Sequence, residues 1–249
     1  MKLAVLIYGQ YRQFDIAFKS WTFLHELDCD VYVSTWNRSS EVIDNMGINV
    51  DFNVTEELFT RYVPNAVIDI LDENDYPELN KPLTPVLHTH WRNLSRMLKE
   101  SNKDYDSVIL LRTDIFLGIN FPITEFYKFN EPNTLYSFNK IELLGNKSLF
   151  CNDVLFCGHP TTIMNFIDTL PDDCDYHTKL GEHVYNSNLY VKATYNSDQF
   201  RYSFIRPNCR AIPTNDLNET IIFNLWEVYE TYIKDKTKYV DYKINITSL

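Results

Sequence analysis

Lys2–Tyr8 (KLAVLIY) is an almost unbroken apolar run that stops at Gly9. A run of that length without polar alternation predicts a strand buried on both faces of a parallel sheet. From Arg12 to Leu27 the period changes: Phe14, Ala17, Phe18, Trp21, Leu24 and Leu27 recur at helical spacing. Cys29–Thr35 (CDVYVST) returns to strand character, so the first 35 residues read as a β-α-β unit. Its crossover is expected to be right-handed, which builds a layered α/β sheet.

Further along, Thr55 followed by Glu56 and Glu57 caps a short helix expected to reach Tyr62. Ala66–Ile70 reads as a short strand and Leu71–Leu83 as an acidic, proline-punctuated loop. Thr84-Pro85 supplies an N-cap and an N1 proline for a helix to about Ser101. Val86, Leu87, Trp91, Leu94, Met97 and Leu98 fall on one face of it. Ser107–Leu111 (SVILL) is the most clearly apolar internal strand, and it ends abruptly in Arg112-Thr113-Asp114. The second half is less regular, with strands expected at Thr134–Phe138, Asp153–Cys157 and Arg201–Arg206. Helices are expected there at Thr161–Leu170, His177–Leu189 and Leu217–Lys234. No repeat, low-complexity linker or composition break divides the chain. The expected fold is one α/β domain over residues 1–234, a mostly parallel Rossmann-like sheet with helices on both faces. Its C-terminal half is irregular, and residues 235–249 form a peripheral arm.

Composition narrows the function more than the fold. The 249 residues carry a net charge of −11, which argues against a broad nucleic-acid or anionic-membrane surface. The chain has only six glycines, none two apart, so the G-x-G-x-x-G dinucleotide fingerprint is absent. Gly145-Asn-Lys147-Ser148 lacks the glycine that a P-loop places before its lysine, and reads as a polar turn. Neither G-x-S-x-G nor H-E-x-x-H occurs. Five cysteines without C-x-x-C disfavour a zinc ribbon or a full disulfide framework, and fit a reducing compartment. The apolar run that opens the chain is too short for a signal or a membrane span, so a cytoplasmic location is expected. The six N-x-S/T sequons then reflect an asparagine-rich composition.

In open α/β sheets, ligands bind beyond the carboxyl ends of the strands. That rule screens the acidic motifs. Of the three Asp-x-Asp triplets, Asp28/Asp30 and Asp104/Asp106 precede their strands, and Asp173/Asp175 follows none, so all three read as solvated turns. Arg112-Thr113-Asp114 directly follows a buried strand. A carboxylate there is placed to hold Mg²⁺ or Mn²⁺ on a diphosphate, with Arg112 neutralising charge; a structural Arg–Asp pair is the competing reading. The loop Gly9-Gln10-Tyr11-Arg12 sits at the same edge before a helix, where backbone N–H groups and Arg12 suit a nucleotide phosphate. An ordinary turn with Tyr11 packed down competes with it. Trp36, ending the second strand, is placed either to stack on a base or sugar or to pack at the rim.

Taken together, Leu6-Ile-Tyr-Gly9-Gln-Tyr-Arg12, Asp30-Val-Tyr-Val-Ser-Thr-Trp36 and Tyr105-Asp-(five residues)-Arg112-Thr-Asp114 resemble a group of GT-A glycosyltransferases. These are small enzymes of viruses and bacterial polysaccharide loci, in which a strand-end R-x-D replaces the usual D-x-D. Asn152-Asp153-Val-Leu-Phe156-Cys-Gly158 is similar to their acceptor-side N-D-x-x-F-x-G segment, Gly181-Glu182-His183 to a later acidic position opening a helix, and Phe204-Ile205-Arg206 to their closing strand. The resemblance covers roughly residues 2–210. It implies a GT-A-like fold with a nucleotide-sugar half at 1–118 and an acceptor-side half at 119–234. It further implies a hexosyltransferase taking a nucleotide-diphosphate sugar, UDP-sugar favoured, to a glycan or other hydroxyl with Mn²⁺ or Mg²⁺. Viral or polysaccharide biosynthesis in the cytoplasm, the host cytoplasm for a virus, follows from the same likeness. Asp114 then becomes the metal or diphosphate residue, with Gly9, Tyr11 and Arg12 along the nucleotide. Asp153 is the favoured base toward the acceptor, with Glu182 in reserve; a turn cap or a pair with a nearby Arg is the competing reading of Asp153.

His88 and His90 lie two apart on a predicted helix, point in different directions and cannot chelate one ion together. His90 or Arg92 is instead placed to face the donor. His159 and His183 flank the candidate acids and read first as surface or capping residues. A nucleotidyltransferase is disfavoured by the missing Gly-rich loop with its lysine. The single acid of R-x-D keeps open a non-catalytic nucleotide- or glycan-binding module on a degenerate GT-A fold.

Overall fold

A computed structural model of the chain describes residues 2–11, 14–21, 23–43, 48–76, 87–117, 128–137, 141–143, 149–151, 153–174, 178–193 and 202–204. Its centre is a seven-stranded sheet built from β1 (Lys2–Tyr8), β2 (Asp28–Trp36), β3 (Val67–Leu71), β4 (Ser107–Arg112), β5 (Thr134–Ser137), β6 (Leu155–Gly158) and β7 (Tyr190–Ala193). The order across the sheet is β7-β5-β6-β4-β1-β2-β3. Every neighbouring pair is parallel except the two made by β6, which runs antiparallel to both β4 and β5. The mostly parallel α/β sheet expected from the apolar runs is therefore present.

The continuous hydrophobicity of β1 and β4 follows from burial on both faces. Leu3, Val5, Ile7, Ile109 and Leu111 point to one layer, against Phe14, Trp21 and Phe59. Ala4, Leu6, Tyr8, Val108 and Leu110 point to the other, against Trp91, Leu94 and Phe166. Three helices matter for the site: α1 (Leu87–Glu100), α2 (Pro160–Asp168) and α3 (Thr178–Asn186). Trp91 and Leu94 of α1 supply apolar cover to the second layer, as their shared face predicts. Among the described residues no helix is long and apolar enough to cross a membrane.

Several expectations need correction. The helix read over Arg12–Leu27 is two short α-helical turns, Phe14–Ala17 and Phe23–Glu26, with a 3-10 turn Phe18–Ser20 between them. Tertiary hydrogen bonds override the periodicity here. The Trp21 indole Nε1 donates to Ile115 O at 2.7 Å, and Ser20 Oγ donates to Ala17 O at 2.7 Å while accepting from Leu117 N at 2.9 Å. Trp21 is fully buried by this anchorage and leaves helical geometry, with ψ at 55°. The strand expected from Asp153 begins at Leu155, so Asp153 and Val154 lie in the bend before it. Two hairpins, Arg38–Ile43 with Ile48–Asn53 and Ile141–Leu143 with Leu149–Cys151, and the edge strand β7 were not anticipated. Tyr202–Phe204 pairs with Ile115–Leu117 outside the main sheet. The Leu217–Lys234 helix and the 235–249 arm lie outside the described residues.

Candidate active site

The strand order reverses direction between β1 and β4: successive strands β2 and β3 add on one side, and β4 opens the other. Such a switch point leaves a crevice at the carboxyl ends of the two central strands. Tyr8 and Arg112 are register partners at those ends, with Ser34 opposite Tyr8 on its other side.

The loop leaving β1 is held tightly. Gly9 has φ +110°, a conformation that side-chain-bearing residues rarely adopt. Its N–H donates to Ser34 O at 3.2 Å, Thr113 N donates to Tyr8 O at 3.2 Å, and Thr113 Oγ1 donates to Gln10 O at 2.5 Å. Thr113 thus ties the two strand-end loops together.

Because β6 is antiparallel, its amino end lies at the same edge, and Arg112 N donates to Val154 O at 3.3 Å. Asp153 therefore comes beside Asp114, though they are 39 positions apart in the chain. The Arg112 guanidinium joins them. Its Nε and Nη2 donate to Asp114 Oδ1 and Oδ2 at 3.0 and 2.8 Å, and Nη1 donates to Asp153 Oδ1 at 2.9 Å. The side chains of Arg112, Asp114 and Asp153 are 14%, 1% and 5% exposed. Burial works against the Arg112 charge, but Asp114 and Asp153 outweigh it and hold the guanidinium charged well above its ordinary value.

Helix α1 roofs this edge. His90 Nδ1 lies 2.9 Å from Ser34 Oγ, which also accepts from Asn93 Nδ2 at 3.0 Å. Burial depresses the His90 imidazole from 6.5 to about 3, so it is neutral at physiological pH. Its ring packs edge-on against Trp36 at 4.4 Å. Tyr8 and Trp91 meet edge-on at 5.4 Å. Tyr8 Oη, His90 Nε2 and Trp91 Nε1 are buried and make no geometrically sound hydrogen bond. Burial, reinforced by Asp153, raises the Tyr8 phenol well above its ordinary value. Unsatisfied buried polar atoms are rare enough to mark a place where water or a ligand group completes the structure.

The structure brings Gly9, Arg112, Asp114 and Asp153 to one strand-end edge, with Trp36 and His90 beside it. Tyr11 is 8% exposed, and its ring sits among Phe14, Phe52 and Phe59. Trp36 is 3% exposed and packs in T-shaped contacts with His90 and Tyr76. Arg92 turns away, to Asp172 and Leu170 O. Glu182 does not open a helix: it lies inside α3 and is exposed, while neighbouring His183 is buried and donates to Phe166 O at 2.8 Å. His159 is the N-cap of α2. Arg12, Asn152, Ile205 and Arg206 lie outside the described residues.

Asp28, Asp30, Asp104 and Asp106 sit at the opposite end of the sheet, where Asp30 takes Lys2, Lys103 and Tyr105. Sequence reasoning missed Tyr8, Ser34 and Trp91. The available signal was that Tyr8 and Ser34 are hydroxyl-bearing residues near the last positions of buried strands.

The donor set does not fit a divalent ion as it stands. Among the described residues no three His, Cys, Asp or Glu side chains come together as metal ligands. Both Asp114 oxygens and one Asp153 oxygen already accept hydrogen bonds from Arg112. Mg²⁺ and related hard cations need several such oxygens converging on one point.

No protein-family model matches the sequence, and no curated protein matches it at significance. Solved structures with a similar fold include the galactosyltransferase LgtC in complex with donor and acceptor sugar analogues, 12% identical at TM-score 0.45 over 78% of this chain and 73% of that one. The glycosyltransferase GlyE of Streptococcus pneumoniae is 13% identical at TM-score 0.40 over 77% of this chain and 45% of its own. A nucleotidyl transferase from Methanothermobacter is 8% identical at TM-score 0.39 over 78% of this chain and 88% of its own.

Proposed function

We propose that the chain is a nucleotide-sugar-dependent glycosyltransferase, a hexosyltransferase that moves a sugar from a UDP-sugar or related donor to a glycan or other hydroxyl. The observation that carries this reading is the meeting of Asp114 and Asp153, from distant segments, on one guanidinium at the switch point of a mostly parallel sheet. The ordered likeness of the Gly9–Arg12, Trp36, R-x-D and N-D-x-x-F-x-G segments to GT-A enzymes supports it.

In this reading the acceptor oxygen attacks the anomeric carbon of the donor sugar. The bond from that carbon to the diphosphate oxygen breaks, and its electron pair leaves with the diphosphate. The acceptor's proton passes to a carboxylate, for which Asp153 is better placed than exposed Glu182. Tyr8, His90 and Trp91 offer hydrogen-bonding groups beside that centre.

A second reading draws on the same cluster. A guanidinium engaged by both acids also suits a fold that has kept ligand binding without chemistry. A thermal-shift panel of UDP-, GDP-, dTDP- and CMP-sugars, followed by assay of nucleotide release with glycan acceptors, separates the two. Stabilisation by one donor class with turnover supports the transferase. Stabilisation without turnover of any donor supports the binding module, and neither effect rejects both.

A further inference from the structure

The R-x-D strand end presents an unusual charge arrangement. In a metal-assisted site, the strand-end carboxylate reserves its oxygens for the ion. Here both oxygens of Asp114 are taken by Nε and Nη2 of the arginine two residues earlier, in fork-to-fork geometry at 3.0 and 2.8 Å. The third acceptor, Asp153 Oδ1, is taken by Nη1 of the same side chain at 2.9 Å. One planar cation thus reaches both carboxylates. Arginine suits this position where lysine would not, because its donors spread in a fixed fork and its charge survives burial. The peptide geometry holds it in place: Arg112 N donates to Val154 O, and Thr113 is bonded to Tyr8 and Gln10 on the far side.

We propose that the Arg112 guanidinium is the resident cation of the Asp114–Asp153 pair, occupying the place a divalent ion would take, so that the site works without a metal and gains metal affinity only when Arg112 is removed. The proposal rests on the glycosyltransferase reading for what the site catalyses, but not for how it handles cations. Two carboxylates fastened to one side chain are fixed in direction without an exchangeable ion. A strand-end D-x-D would leave its oxygens open. Replacing its first acid by arginine both removes a ligand and blocks the other.

The test is a titration of Mn²⁺ followed by the loss of its free-ion electron paramagnetic resonance signal, with no donor present. Wild-type protein and Asp114→Asn are expected to leave the signal equally unaffected. Arg112→Gln, which strands the two acids side by side, is expected to take up one Mn²⁺ per chain at least tenfold more tightly than wild type. Adding Asp114→Asn to that variant should abolish the uptake. Uptake of one Mn²⁺ per chain by the wild type, lost in Asp114→Asn, overturns the proposal. That comparison needs no Arg112 variant, so it decides the matter even where Arg112→Gln does not fold. With a donor identified by thermal shift, turnover unchanged by EDTA agrees with the proposal. A loss of more than tenfold that Mn²⁺ restores overturns it. Absence of turnover in both buffers counts against the glycosyltransferase reading alone, and the titration still decides this one.

Discussion

Replacing Arg112 by methionine keeps an unbranched apolar stem and removes the charge and the donors. Two carboxylates, 1% and 5% exposed, are then left without the cation that satisfies three of their four oxygens. Breaking a buried ion pair by removing one partner costs roughly 3–5 kcal/mol, because the remaining charge keeps its desolvation penalty and loses its compensation. Two stranded charges argue for the upper part of that range, and the 14% exposure of Arg112 moderates it by admitting water. Against a total stability of about 5–15 kcal/mol for an ordinary domain, the loss is large but survivable. Urea denaturation at pH 7 followed by circular dichroism measures it. Arg112→Met/Asp114→Asn/Asp153→Asn should recover most of the loss at pH 7, because neutral amides leave no stranded charge. A cost below about 1 kcal/mol for Arg112→Met, the scale of an exposed pair, would refute the buried-cluster account.

The neutral His90 gives a pH dependence with a definite sign. Its folded value of about 3 lies below the unfolded 6.5, so its contribution is full above pH 6.5 and is lost progressively as pH falls toward 3. Stability should drop by about 2 kcal/mol between pH 7 and pH 5 on this account, at 1.36 kcal/mol per unit, and His90→Gln should flatten that slope in denaturation curves. Gly9→Ala should cost about 1–3 kcal/mol in the same assay, because an added Cβ has room at 3.6 Å from Thr113 Oγ1 but must adopt φ +110°. Asp153→Asn keeps an oxygen for Arg112 Nη1, so its melting midpoint should stay close to wild type while transfer falls by roughly 10²–10⁴-fold. Normal transfer by Asp153→Asn, with Glu182→Gln inactive yet folded, would move the base to Glu182.

The central strands were legible because burial on both faces leaves a signal in consecutive residues. Lys2–Tyr8 and Ser107–Leu111 need no partner to be recognised, and their ends located Gly9 and Arg112–Asp114 at one strand-end edge. The Arg12–Leu27 segment shows the limit of this logic. Phe14, Ala17, Phe18 and Trp21 do face one core, as the period says, but Trp21 reaches Ile115 O from a broken turn. A hydrogen bond to a residue 94 positions away leaves no trace in local spacing. The meeting of Asp153 with Arg112 was hidden for a related reason. It depends on β6 running against its neighbours, and antiparallel insertion into a parallel sheet is a property of topology. The competing structural reading of R-x-D, an Arg–Asp pair at a strand end, proves geometrically correct for Arg112 and Asp114. The competing reading of Asp153, a pair with a nearby Arg, is geometrically correct too; what the sequence did not show is that both acids share the one Arg112.

That second acid changes the electrostatic argument for the whole edge. One guanidinium and two carboxylates leave a formal charge of −1, within a chain that already carries −11. Such a cluster repels a diphosphate and attracts hydroxyls, since ionised carboxylates are acceptors only. A donor lying across β1 and β4 would therefore set its sugar and the acceptor hydroxyl toward Asp114 and Asp153. Its phosphates would lie toward the β1 loop, where Arg12 is the cation nearest in sequence and Gly9 lets the backbone approach. On the proposed function the division of labour would be spatial: anion recognition along β1 and hydroxyl recognition at the end of β4, with Arg112 holding the two acids in alignment. Arg12→Gln should accordingly weaken donor binding, while Asp114→Asn should alter discrimination among sugars that share one nucleotide. Thermal shifts with UDP against a set of UDP-sugars separate these effects. If Asp114→Asn lowered the response to UDP itself as much as to its sugars, the carboxylate would belong to the phosphate side and this division would fail.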